Sequence, residues 1–152
     1  MDIREITNEL EKTDISRHIL EALPEWFSIP ESREEYIYGS QGKKFLAAFI
    51  EENPVGFLYL KQTGKDTVEL AVLGVLKEYH RKGIGRALFE RAKKVICEDG
   101  YSFVQVKTLQ AGKKESYDKT NQFYISLGFK EFEVFPTLWS EQYPCQIYVM
   151  AL

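Results

Sequence analysis

Between Val68 and Glu98 the sequence runs from a strand, through a basic glycine-bearing loop, into its best-patterned helix. The strand is Val68-Glu69-Leu70-Ala71-Val72-Leu73-Gly74-Val75, and the loop closes on His80-Arg81-Lys82-Gly83-Ile84-Gly85. Ile84, Ala87, Leu88, Ala92, Val95 and Ile96 then recur at offsets 0, 3, 4, 8, 11 and 12, an apolar stripe of helical period that ends before Asp99-Gly100. A helix start carries unsatisfied N–H groups and a partial positive charge. Gly83 and Gly85 allow an anion to approach the main chain, and Arg81, Lys82 and Arg86 add full charges, so a diphosphate is the natural occupant. A dinucleotide fingerprint would need a third glycine at Leu88 and no residues between strand and motif, whereas Leu76 to Lys82 intervene. A Walker loop would need Gly-Lys-Ser/Thr, which Gly85-Arg86-Ala87 does not supply.

The rest of the chain frames this unit. Ile3 to Ile6 reads as a short strand, Thr13 or Asp14 as the cap of a helix through Leu23, and Pro30 as the start of a second helix ending near Gly39. Runs 45–50 and 55–60 read as a hairpin across Glu51-Glu52-Asn53-Pro54, and 66–75 as the next strand. A strand over 102–108 after the patterned helix makes a strand-helix-strand unit, which places its two strands parallel. Asp118 to Leu127 reads as a helix stopped by Gly128, with strands over 129–135 and 146–150 after it. The order predicts α+β with a mixed sheet, in one domain over 1–152.

Composition limits the partners. Twenty Lys plus Arg against 23 Asp plus Glu leave a net charge of -3, which supplies no general attraction to nucleic acid or an anionic membrane. MDIREITNEL carries no basic region followed by an apolar stretch, and no segment reaches the roughly 20 apolar residues of a membrane span, so the expected location is cytoplasmic. Cys97 and Cys145 belong to no CxxC and read as reduced thiols; His18 and His80 have no partner at zinc spacing, so no metal is expected.

His80-Arg81-Lys82-Gly83-Ile84-Gly85 resembles the acetyl-coenzyme A motif of the GNAT family of N-acetyltransferases, Gln/Arg-x-x-Gly-x-Gly/Ala. Thr120-Asn121-Gln122-Phe123-Tyr124-Ile125-Ser126-Leu127-Gly128-Phe129 resembles that family's second signature, an aromatic pair on a helix ending in Leu-Gly-Phe. The element order matches over nearly the whole chain, least specifically before about residue 40. Leu23-Pro24-Glu25-Trp26-Phe27 and the ending from Phe135 to Trp139 are similar to an uncharacterised bacterial subgroup. The resemblance implies a central mixed sheet of about six to seven strands flanked by about four helices, in α-β-α layers. It also implies acetyl-CoA as cosubstrate and an amine of a small molecule or peptide as acceptor, with a second copy of the chain as a candidate partner. Leu73 and Val75 would pair with the pantetheine arm through the main chain, with a bulge at Gly74, and Arg81, Lys82, Gly83, Ile84, Gly85 and Arg86 would hold the phosphates. His80 stands where Gln or Arg is usual, Lys77 replaces a common proline, and Tyr117 occupies a position that is often Asn.

A lysine-like amine with a pKa of about 10.4 is only about one part in two thousand neutral at pH 7, so an acceptor must lose a proton before attack. Glu69 matches the family's glutamate base and Tyr124 its acid. From the residues alone, Glu69 is equally a polar strand residue or half of an ion pair with a neighbouring strand, and periodicity alone makes Tyr124 a core tyrosine with a satisfied hydroxyl, a reading that the second signature reverses. Trp26, Phe27, Tyr36 and Trp139 are either walls of the acceptor pocket or core, and Gly112-Lys113-Lys114-Glu115 is a solvated loop or a contact for the outer phosphate. Two other functions stay open: a noncatalytic acyl-coenzyme A binding module, and a nucleotide-binding enzyme, which the missing Walker residues disfavour.

Overall fold

The computed structural model describes all residues, Met1–Leu152. Its elements in order are β1 (Asp2–Ile6), α1 (Glu9–Leu20), α2 (Pro30–Gly39), β2 (Lys44–Ile50), β3 (Asn53–Gln62) and β4 (Thr67–Val75). A short 3₁₀ turn (Lys77–Tyr79) leads to α3 (Ile84–Glu98), β5 (Phe103–Leu109), α4 (Glu115–Leu127), β6 (Lys130–Ser140) and β7 (Tyr143–Ala151). The strands form one seven-stranded sheet in the order β1-β2-β3-β4-β5-β7-β6. Only β4 and β5 run parallel, as the α3 crossover requires. The expected α+β architecture with a mixed sheet and four helices is therefore the observed one.

Each face of the sheet has its own core. Leu46, Leu58, Val68, Leu70, Val104 and Val106 pack under Leu88, Phe89 and Ile96 of α3 and Tyr124 and Leu127 of α4. Phe45, Ala47, Phe57, Tyr59 and Val72 pack under Ile15, Ile19 and Leu20 of α1 and Ile37 of α2. Each fully buried Phe or Leu side chain contributes roughly 1.5–3 kcal/mol, so the two layers fix which way every strand residue faces.

Several boundaries differ from the sequence reading for local reasons. Helix α1 begins at Glu9 rather than after Thr13 or Asp14, because Asn8 Oδ1 accepts from the Glu11 N–H at 2.9 Å. Thr13 lies inside the helix, where its hydroxyl donates to Leu10 O. Helix α4 begins at Glu115, three residues before the expected Asp118. Gly128 stops it as expected, with φ 107. The β2–β3 turn is Glu51-Glu52, both with positive φ (50 and 66), flanked by the pair Ile50 and Asn53.

The bulge falls at Ala71, not at Gly74. Tyr59 of β3 opposes Val72 while Leu60 opposes Leu70, which leaves Ala71 as the extra residue. It shifts the alternation by one, so that Val68 and Leu70 face α3 while Val72 faces α1 and α2. Gly74 serves packing instead: a Cβ there would lie 3.1 Å from Ile19 Cγ2 and 3.2 Å from Phe57 Cε1.

Candidate active site

The parallel pairing of β4 with β5 is short. It covers Thr67 with Phe103, Val68 with Val104 and Glu69 with Gln105, and then stops. β4 stays paired with β3 up to Val75, and β5 stays paired with β7 up to Leu109. The sheet therefore forks after Glu69. Leu76 N donates to Val55 O at 2.9 Å, which directs that residue toward β3. By strand alternation the main-chain groups of Leu73 and Val75 point the other way, into the fork. An open strand edge of this kind is a template for an extended ligand.

The loop after β4 turns its amides outward. Arg81 (φ 61) and Gly83 (φ 81) adopt left-handed conformations, and Gly83 is the N-cap residue of α3 without any capping side chain. The first bond of the helix is Ala87 N to Gly83 O, and the N–H groups of the six residues from Arg81 to Arg86 have no acceptor in the protein. No acidic side chain sits in the first turn. Nothing lies within 4 Å of a Cβ placed on Gly83, so the cradle is open there. Such a nest of convergent N–H groups at a helix N-terminus fits a diphosphate.

The basic side chains of the loop are unequally placed. Arg81 is exposed, and Lys82 Nζ lies over the Tyr79 ring at 5.4 Å. Arg86 turns away toward the end of α4, donating to Ser126 O and Oγ, each at 3.2 Å. Its contribution to the cradle is its backbone N–H. His80, in place of the usual Gln or Arg, folds back so that Nε2–H donates to Val75 O at 2.6 Å. That contact caps one carbonyl of the open edge and holds the loop against the end of β4.

Helix α4 brings the second signature to the same place. Phe123 packs on Gly85, and Tyr124 packs against Phe129 and Tyr148. Tyr124 is 6% exposed, and its hydroxyl has no protein hydrogen-bond partner yet is not sealed from solvent. Burial pushes its pKa above the usual tyrosine value, with a further push from Tyr117. A tyrosine held protonated with a free hydroxyl can donate a proton. Beneath it, Asn121 Nδ2 donates to Leu109 O (2.9 Å) and Tyr117 O (2.7 Å), and Tyr148 Oη donates to Asn121 Oδ1 (2.6 Å). This buried network ties α4 to β5 and β7.

Glu69 sits at the crotch of the fork, almost buried. Its Oε1 accepts from Lys107 Nζ of β5 at 3.2 Å, so the neighbouring-strand ion pair is present, while Oε2 has no hydrogen-bond partner. Burial first, and the Glu69 charge second, raise the Tyr36 hydroxyl above its usual range. Burial also pushes the Cys145 thiol up to about 11, with Lys107 pulling it down and Glu69 raising it. Lys107, Cys145 and the buried Asn121 network carried no local sequence signal, since each depends on contacts between distant elements.

The aromatic residues divide. Phe27 and Tyr36 meet edge to face at 5.8 Å, with Trp26 in the same cluster. Trp26 bridges the mouth of the fork: its Nε1–H reaches Thr120 Oγ1 (3.0 Å) and Ser116 O (3.2 Å) of α4, and its ring meets His80 edge-on at 5.4 Å. Tyr117, at the position that is often Asn, spends its hydroxyl on Trp26 O at 2.5 Å. Trp139 is not drawn into this cluster. It is 45% exposed, in a stretch of β6 where four residues, 136–139, oppose the single Pro144 of β7. The run Gly112 to Lys114 is a loop in which Gly112 N donates to Asp118 Oδ1, and Glu115 already opens α4.

Residues 41–131 match the family model described as acetyltransferase (GNAT) domain, which takes in β2 to α4 and both signatures. An uncharacterised N-acetyltransferase of Chlorobaculum tepidum is 40% identical over 65 residues, 43% of this chain and 36% of that protein, so the match spans about a third of that relative's length. A solved structure described as a GNAT-family acetyltransferase from Desulfovibrio desulfuricans superposes with a TM-score of 0.85 at 18% identity, covering 99% of this chain and 98% of that one. An aminoglycoside 6'-N-acetyltransferase complexed with coenzyme A gives 0.75 at 21% identity, with 99% and 97% coverage. An IAA acetyltransferase from Bacillus cereus gives 0.78 at 18% identity, covering 99% of each chain. At these identities the structures speak to the fold, and the fold is the same throughout. With both signatures inside the matched residues and placed on either side of the fork, the chain belongs to the acetyltransferase (GNAT) domain family.

Proposed function

We propose that this chain is an acetyl-coenzyme A dependent N-acetyltransferase that passes the acetyl group directly to an amine held with the cosubstrate in a ternary complex. The observation that carries this reading is the run of unpaired N–H groups from Arg81 to Arg86 beside the open edge of β4. The amides and the Arg81 and Lys82 side chains take the diphosphate, and Leu73 with Val75 lines the arm that leads to the fork. The bound cosubstrate supplies the thioester.

Glu69 Oε2 takes a proton from the incoming ammonium, directly or through water. The neutral nitrogen forms the C–N bond as the C–S bond breaks, Tyr124 Oη gives its proton to the departing sulfur, and the surplus proton on the acylated nitrogen leaves to water. Exchange with solvent then restores both groups. Trp26, Phe27 and Tyr36 wall the acceptor side of the fork. Trp139 contributes if the β6–β7 hairpin closes on a bound acceptor. The expected setting is cytoplasmic, as one catalytic domain without a metal.

A noncatalytic acyl-coenzyme A binding module is favoured by one observation, the Lys107 contact that occupies an oxygen of the candidate base. A thiol-release assay with acetyl-coenzyme A and a panel of amines decides between them. Turnover that falls steeply in Tyr124→Phe supports transfer. A melting-temperature rise with coenzyme A but no turnover on any amine supports the binding module.

A further inference from the structure

The Glu69–Lys107 pair bridges the opening of the fork. Glu69 is the last residue of β4 paired with β5, opposite Gln105, and Lys107 stands two residues further along β5 on the same face. The side chains are 11% and 30% exposed, so the ammonium is the more accessible half and the carboxylate keeps a free Oε2. Tyr36 of α2 and Cys145 of β7 both feel the Glu69 charge, and Cys145 also feels Lys107, so both lie near the ion pair. Tyr59 feels Glu69 as well, and its hydroxyl donates to Tyr36 O at 2.7 Å. Cys145 and Glu35 also act on Tyr36.

We propose that the acceptor is an amine that carries its own carboxylate, a free amino acid or small amino-carboxylate, with its ammonium on Glu69 and its carboxylate on Lys107. This rests on the acetyl-transfer reading of the same fork. Lys107 holds only Oε1, so an amine can engage Oε2, and once Glu69 takes the amine's proton the carboxylate charge that faces Lys107 is gone. A monoamine with no carboxylate would then leave the Lys107 ammonium partly buried without a counter-charge, which is unfavourable. A polyamine or another polycation would bring a second positive charge against it, and no group of three Asp, Glu, Cys or His side chains is placed to hold a metal ion. An amino-carboxylate replaces both halves at once, and one ion pair becomes two. Lys107 is then a specificity-determining residue, in contact with substrate but not with the reacting bond.

The test uses the full chain with acetyl-coenzyme A and matched acceptors: free amino acids including β-alanine and γ-aminobutyrate, the corresponding amides, and the decarboxylated amines. At least one amino acid is expected to exceed its own amide in kcat/KM by about tenfold to a hundredfold, the range of a charged hydrogen bond. Lys107→Met, which keeps the apolar stem, is expected to raise KM for that acid with little change in kcat, and to bring the acid-over-amide ratio close to one. Lys107→Glu is expected to invert the preference toward the decarboxylated amine or a diamine. Amides or amines that serve wild type as well as acids overturn the proposal, as does a Lys107→Met loss that is equal for all acceptors. Failure of every amino acid to react, or to bind the coenzyme A complex in calorimetry, overturns it too. In each of those cases a retained melting-temperature rise with coenzyme A leaves the cosubstrate reading standing, and loss of that rise removes it instead.

Discussion

A Cβ placed on Gly85 would lie 3.0 Å from Phe123 Cζ, so the first turn of α3 and the middle of α4 approach as closely as a missing side chain allows. This contact joins the two signatures and separates the roles of the two loop glycines. Gly85→Val is expected to destabilise the fold by about 1–3 kcal/mol through overpacking. Gly83→Ala meets open space but a strained φ of 81, and is expected to cost about 1–2 kcal/mol. It should also weaken coenzyme A binding by re-aiming the amides. Urea unfolding with and without coenzyme A checks both.

Tyr124→Phe removes a hydroxyl that pairs with no protein group. Stability is expected to change by no more than about 0.5 kcal/mol, while kcat falls about a hundredfold or more and KM for acetyl-coenzyme A holds. Equal losses in stability and rate would make Tyr124 a core residue only.

Five tyrosines, Tyr36, Tyr59, Tyr117, Tyr124 and Tyr148, have pKa values raised, by burial first in every case. Below the unfolded value of about 10 both states keep these protons, and the contribution to stability is fully present. As pH rises above it the unfolded chain releases protons first, so stability is lost. Denaturant unfolding followed from neutral pH to beyond about pH 10 is expected to show a steady fall above that value. For the same reason kcat should keep its high-pH side to at least about pH 10.

Asn121→Leu strands the Tyr148 hydroxyl and the Leu109 carbonyl, which Asn121 now satisfies. A loss of about 2–3 kcal/mol is expected, measured by urea unfolding. Coenzyme A binding should persist in the fraction that remains folded.

The Glu51-Glu52 turn places two glutamates at positive φ, where Asn and Gly are the low-cost residues. Glu51→Asn is expected to stabilise by about 0.5–1 kcal/mol, a rise of about 1–4 °C in Tm. Glu52 is left in place because its carboxylate receives Arg4.

The parts of this fold that were legible in sequence are those fixed by neighbours in the chain. The apolar stripe from Ile84 to Ile96 and the Gly128 stop carry their own periodicity and conformation. The Asn8 to Glu11 cap had a local signal, Asn followed three residues later by Glu, which the reading of Thr13 or Asp14 as the cap passed over. Thr13 competed as a cap only because its helix lacks a clean apolar stripe. The bulge at Ala71 could not be read, because it exists only as a count against β3. The fork, the Lys107 partner of Glu69 and the hook from His80 to Val75 O depend likewise on which strands end up adjacent. Glu69 was placed correctly on its strand, yet whether it met a cation was a tertiary question.

The central claim is that the amides of Arg81 to Arg86 hold a diphosphate. Backbone amide NMR on the full chain, titrated with coenzyme A, tests it directly. The largest shift changes are expected at those six amides, with Leu73 next and the distant lysine groove around Lys43 and Lys61 unmoved. Saturation that leaves the loop amides in place, or moves the lysine groove instead, contradicts the account.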